Sequence, residues 1–242
     1  MTTGWRLPEG ALRASVLGVN AVALLAVAAA SVVVRDSLGL GSSYAIKTVI
    51  AFSGVVLLAM GFAQAFHPFS RLGPANVVTT LRMAMVAMVA GLLGEPATPA
   101  VATSAAGVSA LVTMLDGVDG WVARRTGMAS LFGARFDMET DALLIMVLSL
   151  LAWQLGKAGA WILLAGIMRY AFVVAGWIDA RLEQPLFPSR RRQTVCVIQI
   201  LGLSVVVLPA MTRPVSVWLA AGLVIVLSYS FAVDTIWLWR RE

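Results

Sequence analysis

Apolar residues in this chain come in long runs separated by short polar stretches, and the runs have about the length, roughly 17–25 residues as helix, that crosses a hydrocarbon core. Eight such segments are read, at about 15–34, 46–66, 77–94, 99–118, 136–155, 159–178, 194–211 and 215–237. Lipid offers backbone N–H and C=O groups no partners, so each segment is predicted to be a helix. No ten-residue alternation of the kind a membrane barrel needs is visible. The connections are short, and several carry Gly or Pro: Gly39-Leu40-Gly41, Gly94-Glu95-Pro96, Gly156-Lys157-Ala158-Gly159 and Arg213-Pro214. Such residues end helices and turn the chain. The predicted fold class is all-α, a polytopic transmembrane helical bundle.

Composition points the same way. The 242 residues are 60% hydrophobic and 12% charged, too apolar for one or two soluble domains of that length. The single cysteine, Cys196, lies in an apolar run and supplies neither a disulfide framework nor a zinc-type spacing, so it reads as a small core residue.

Charge changes the picture further, because loops rich in Lys and Arg stay in the cytoplasm. One set of connections holds Arg6, Arg13, Arg71, Arg124, Arg125, Arg135, Arg181, Arg190 to Arg192, Arg240 and Arg241. The other set holds only Arg35, Lys47, Lys157 and Arg213. Both termini and most of the net +6 charge are therefore expected on the cytoplasmic side, in a membrane read as a bacterial cytoplasmic membrane. A rival reading makes residues 1–30 a secretory signal peptide, given two arginines, an apolar stretch and Ala28-Ala29-Ala30-Ser31. Cleavage would leave seven spans and disturb the charge asymmetry.

Against this background the stretch Leu115 to Asp141, LDGVDGWVARRTGMASLFGARFDMETD, is anomalous. A carboxylate at the centre of a bilayer costs on the order of 2.5–3.5 kcal/mol on insertion scales, so a cluster of them needs compensation. Asp116 and Asp119 are three apart at the cytoplasmic end of the fourth span, and Asp137 and Asp141 four apart at the start of the fifth. Each pair shares one helical face. Between them Thr126-Gly127 reads as a helix stop and Ser130 as the cap of the next helix. So short a turn makes the helices antiparallel neighbours and points the two aspartate faces at each other, with Gly120, Ala123 and Gly133 leaving room. Oxygen ligands without nearby histidine or cysteine suit a hard divalent cation, Mg²⁺ or Mn²⁺, rather than zinc. The competing interpretation is ordinary interfacial charge, with surface pairs from Asp116 to Arg124 and from Asp137 to Arg135. The only histidine, His67, falls in another loop and reads as a solvated or headgroup residue.

The spacing Asp116-x2-Asp119-Gly120-x2-Ala123-Arg124-x8-Gly133-x3-Asp137-x3-Asp141 resembles, position for position, the signature of the CDP-alcohol phosphatidyltransferase family. The resemblance extends over residues 76–242, which look like that family's six-helix core. Residues 1–75 would then be two extra N-terminal transmembrane helices, for which the sequence suggests no role. What the resemblance implies is transfer of a phosphatidyl group from a CDP-linked lipid, typically CDP-diacylglycerol, to a small alcohol, with release of CMP. By analogy Asp116, Asp119 and Asp137 would hold two divalent ions, and Asp141 would be the general base and also touch a metal. Gly120, Ala123 and Gly133 match the family's small positions at the nucleotide, and Arg124 its diphosphate arginine. The family's Pro-Asn-x-x-Thr-x-x-Arg element is matched by Asn76, Thr79 and Arg82, which makes Asn76 and Thr79 expected CDP contacts; Pro74 stands one residue too early. The family likeness also implies a homodimer.

The acceptor is read from the remaining charges. Arg169 lies inside the sixth span, where an arginine is expected to face the bundle interior. Arg190, Arg191 and Arg192, after Pro188-Ser189, open the seventh span on the side of the aspartates. Together they would bind a phosphate on the acceptor, favouring glycerol 3-phosphate or an inositol phosphate over an uncharged alcohol. Otherwise the arginine run meets the positive-inside bias and touches anionic headgroups. Asp179, Glu183 and Asp234 read as solvated partners of these arginines, and Trp218, Trp237 and Trp239 as interfacial anchors. The bilayer is the expected surroundings, and no nucleic acid is expected as a partner. From another class, an ion-coupled transporter could use the aspartates and Arg169, although its ion site would belong at the midplane rather than at one interface.

Overall fold

The computed structural model describes residues 6–184, 186–187 and 189–240; Arg241 and Pro188, which figure in the charge reading, lie outside them. Among the described residues the chain is helical, with no strand. Eight α-helices follow the eight predicted spans: α1 Gly10–Leu38, α2 Ser43–Phe66, α3 Pro74–Gly91, α4 Pro99–Thr126, α5 Leu131–Gln154, α6 Leu163–Ile178, α7 Arg190–Val207 and α8 Val215–Trp239. Short 3₁₀ turns, Ala160–Ile162 and Ala180–Glu183, flank α6. Six of the helices, with α6 counted from Ala160, are long and apolar enough on their own to cross a membrane. The other two, α5 and α7, open with charge: Arg135, Asp137, Glu139 and Asp141 in one, Arg190 to Arg192 in the other. The protein is a multi-pass membrane protein by this measure. Many large apolar side chains are exposed, among them Leu25 and Val22 on α1, Leu58 on α2 and Trp218 and Ile225 on α8, as lipid-facing surfaces require.

Helix ends follow local chemistry. Gly39 takes up the left-handed conformation (φ 63°) after α1, and Gly127 does so (φ 66°) after α4, as the Thr126-Gly127 pair predicts. Pro74 sits at the first position of α3, where a missing N–H costs nothing.

Contacts divide the molecule into two compact units, residues 1–96 with 111–140, and residues 97–110 with 141–242. In the first, α1 and α2 pack on each other and both on α3. Gly91 lets α3 approach α2 closely: a Cβ there would lie 2.9 Å from the ring of Tyr44. In the second, α7 packs on α8 and α6 on α8. A Cβ at Gly166 would lie 2.7 Å from the Met146 backbone, and one at Gly202 2.5 Å from Leu223, so both glycines mark near contacts between helices.

Candidate functional site

The site is built from α3 and from the parts of α4 and α5 that belong to the first unit. On α3, Asn76, Thr79 and Arg82 recur every third residue and therefore share a face; all three are buried. On α4, Asp116 and Asp119 form the second face. The chain leaves α4 at Gly127 and enters α5 under Ser130, whose Oγ accepts the Gly133 N–H at 3.0 Å, the cap expected from the sequence. That turn brings Asp137 opposite the α4 pair. One carboxylate oxygen from each of Asp116, Asp119 and Asp137 lies within 4.8 Å of the others.

Arg82 lies among them. Its guanidinium is fully buried and donates to Asp116 Oδ1 at 2.8 Å and to Asp119 Oδ2 at 2.6 Å. The Nη1 that donates to Asp119 is also in close contact with Asp137 Oδ1. One planar fork thus meets three carboxylates, a geometry that lysine cannot reproduce. Thr79 Oγ1 lies 3.2 Å from Asp119 Oδ2, so Asp119, 6% exposed, is held from two residues of α3. Asp116 and Asp137 keep 31% and 37% of their side-chain surface exposed and are reachable from outside.

The surface pairs from Asp116 to Arg124 and from Asp137 to Arg135 give way to this arrangement. Both aspartates meet Arg82, while the Arg135 guanidinium stacks 4.7 Å over the Phe66 ring. Arg124 folds back over its own helix: a Cβ at Gly120 would stand 3.4 Å from its Nη1. Gly133 is hemmed in, since a Cβ there would fall 2.5 Å from Asn76 Oδ1. The two small positions thus leave room for different neighbours, an arginine at Gly120 and an asparagine at Gly133. Ala123 occupies the same α4 turn as Gly120, where it is half-buried.

The donor set fits a hard cation. All three groups are carboxylates, with no nitrogen or sulfur ligand in the cluster. An octahedral Mg²⁺ holds oxygens at about 2.0–2.1 Å, so its ligands stand about 3–4.2 Å apart, a spread the cluster accommodates. Three carboxylates beside one guanidinium leave an excess of negative charge, which suits divalent cations.

The remaining candidate residues belong to the second unit. Asp141 lies one turn beyond Asp137 on α5, and its Oδ2 accepts from the Cys196 thiol at 3.5 Å. Cys196 is half-buried rather than a core residue. Arg169 is half-buried on α6, and Arg190 is exposed at the start of α7. Arg191 meets Asp234 and also donates to the Ser230 carbonyl at 2.8 Å, while Arg192 reaches the same Asp234 oxygen at 3.2 Å. Asp234 is 4% exposed, so it is a buried partner and not a solvated one; two guanidinium groups offset its burial. Asp179 accepts from the Arg181 N–H and from Trp239 Nε1, the latter at 3.1 Å.

Two residues, His67 and Arg82, have surroundings that the sequence does not show. His67 is 5% exposed, neither solvated nor at a headgroup, because both ring nitrogens find partners inside the fold. Arg82 has a place in the motif, but its role as common partner of three aspartates went unassigned. The signal was present: a charge inside an apolar span must face a partner, the same argument that singled out Arg169.

A helical membrane bundle that gathers three aspartates around a buried arginine offers the oxygen donors a hard cation takes. The family model for CDP-alcohol phosphatidyltransferase matches residues 72–230, and the chain belongs to that family. It is therefore a transferase of a family that uses CDP-alcohol substrates in the membrane and divalent metals. No curated protein matches the chain, and no solved structure does.

Proposed function

We propose that this protein transfers a phosphatidyl group from CDP-diacylglycerol to a phosphorylated alcohol, glycerol 3-phosphate or an inositol phosphate, and releases CMP. The observation that carries the reading is the convergence of Asp116, Asp119 and Asp137 at the family motif, from two successive helices within one compact unit. Bound divalent ions, two of Mg²⁺ or Mn²⁺ in this reading, would neutralise the diphosphate and stabilise the leaving phosphate. Asp116, Asp119 and Asp137 would hold them, and Asp141 would extend the set.

The remaining chemistry falls to the protein. Asp141 takes the proton of the acceptor hydroxyl as its oxygen bonds to the phosphorus that carries diacylglycerol. The bond from that phosphorus to the oxygen of the CMP phosphate breaks, and CMP leaves with the bonding electrons. Arg124 presents forked donors to the diphosphate oxygens. Asn76, Thr79, Gly120, Ala123 and Gly133 line the cytidine side, the last three by being small. Arg169 and Arg190 to Arg192 receive the acceptor phosphate. The site faces the cytoplasm, where a lipid-anchored donor and a water-soluble acceptor meet, and the protein works as a homodimer.

One observation favours an uncharged acceptor instead: Arg191 and Arg192 already share Asp234, which leaves less positive charge for a phosphate. The transporter reading loses its support, since the family is one of transferases. Purified protein with Mg²⁺ or Mn²⁺, labelled CDP-diacylglycerol and a panel of glycerol 3-phosphate, inositol phosphate, inositol and serine decides the matter. A phosphorylated lipid product is expected. Reaction with only inositol or serine would overturn the acceptor assignment, and no CMP release with any acceptor would overturn the activity.

A further inference from the structure

The two N-terminal helices lie wholly outside the stretch that matches the family, residues 72–230. Yet the end of α2 reaches the turn that joins the two aspartate helices. His67 caps α2, its N–H bonded to the Ala63 carbonyl at 2.9 Å. Its Nε2 lies 2.9 Å from the Arg71 carbonyl and its Nδ1 2.9 Å from Ser130 Oγ. A carbonyl only accepts, so Nε2 carries the hydrogen; in the neutral ring Nδ1 then accepts the Ser130 hydroxyl hydrogen. Ser130 Oγ in turn accepts the Gly133 N–H at 3.0 Å. The bonds form one directed series, from the Gly133 N–H through Ser130 and His67 to the Arg71 carbonyl.

Packing holds the ring in this register. His67 meets Phe69 edge-on at 5.3 Å and Phe132 at 5.8 Å, and Phe132 stacks on Phe136. Beside it, the Phe66 ring lies under the Arg135 guanidinium at 4.7 Å. Consecutive residues at the end of α2 therefore hold the cap and the first turns of α5. Gly133, packed on Asn76, and Asp137 ride on those turns.

We propose that His67 is a positioning residue: by fixing the Ser130 hydroxyl it sets the start of α5 and so the stand of Gly133 and Asp137, which gives the N-terminal helices a part in the site. The consequence for catalysis rests on the transferase reading above; the bond network does not.

The test uses the full chain in mild detergent, as His67→Phe, which keeps a ring and removes both side-chain bonds, and as Ser130→Ala, which removes the same bond from the other side should the first fail to fold. Hydrogen exchange of the Gly133 and Ala134 amides is expected to quicken about tenfold in either variant, as the loss of one net hydrogen bond implies, with α8 unchanged. CMP release should fall in kcat by about tenfold or more with the acceptor KM held, and the double variant should be no slower than the worse single one. Unchanged exchange at Gly133 overturns the proposal. Faster exchange with undiminished kcat also overturns it, leaving His67 a staple of the fold. A wild type that releases no CMP sinks the transferase reading alone, and the exchange result then decides the placement of α5.

Discussion

The Arg82 guanidinium and the Asp119 carboxylate stand 2.6 Å apart, the arginine fully buried and the aspartate nearly so. Asp116 and Asp137 meet the same fork, so Arg82 is a built-in counter-cation for three carboxylates that would otherwise repel one another. Removing one partner of a buried ion network strands the remaining charges at a cost of about 3–5 kcal/mol. Arg82→Met should therefore melt well below wild type when metal is chelated, and added Mg²⁺ should raise its melting temperature more than it raises that of wild type. Arg82→Lys should fall between, because an ammonium keeps the charge but loses the fork. Thermal unfolding in detergent with EDTA, then with Mg²⁺, gives the comparison; an Arg82→Met protein as stable as wild type in EDTA would show that the aspartates do not depend on it.

Asp141 separates chemistry from architecture. The converging group comprises Asp116, Asp119 and Asp137, and Asp141 sits one turn beyond, next to Cys196. If it is the general base, Asp141→Asn should lower kcat by about 10²–10⁴ while leaving KM for CDP-diacylglycerol and the melting temperature near wild type. Asp119→Asn should instead lower activity and stability together, because it removes the carboxylate charge that Arg82 and Thr79 hold and puts an NH₂ donor in place of one acceptor oxygen. Steady-state CMP release paired with thermal unfolding tells the two apart, and an active Asp141→Asn protein would remove the residue from the mechanism.

The helices and the aspartate faces were legible in the sequence for a physical reason: helical periodicity and the length of an apolar run are local properties. Thr126-Gly127 and Ser130 were equally legible, since caps depend on a few neighbouring residues. What spacing could not give was partner choice at long range. Arg82 stands 37 residues from Asp119 and 55 from Asp137, and His67 stands 63 from Ser130. Only the packing of α2 and α3 against the α4–α5 turn brings these together. The arginine run of α7 is a related case: its sequence shows the charge but not that Arg191 and Arg192 share the buried Asp234 of α8.

Gly133 is expected to tolerate no side chain. An added Cβ would lie 2.5 Å from Asn76 Oδ1 and 3.4 Å from Ser130 Oγ, and Asn76 is too buried to retreat. Gly133→Ala should cost about 1–3 kcal/mol through this overpacking and should raise KM for CDP-diacylglycerol. Adding Asn76→Ala should restore most of the stability but not the KM, if Asn76 itself contacts the nucleotide. Melting temperatures and a KM series on the single and double variants check both halves; a Gly133→Ala protein with wild-type stability would mean that α3 and α5 can part freely.

At the other end of α3, Glu95 joins the N-terminal helices to the rest of the first unit. Burial pushes its carboxyl up, but Lys47 Nζ at 2.6 Å and the Gly41 N–H at 2.7 Å outweigh it and hold the group below its ordinary value of 4.5. A depressed folded value means that the unfolded chain takes up the proton first as pH falls. The stabilisation is therefore complete above about 4.5 and is lost as pH drops from there through the lower folded value. Charge-assisted hydrogen bonds of this kind contribute about 1.5–3 kcal/mol, so Glu95→Gln should melt below wild type at neutral pH. The gap between the two proteins should then close on acidification, a difference in which the titration of the site aspartates cancels. Melting curves of both proteins in the same detergent, taken from neutral pH to below 4.5, give this gap directly, and a gap that stays constant would show that the Glu95 charge does not hold α2 to the α3–α4 connection.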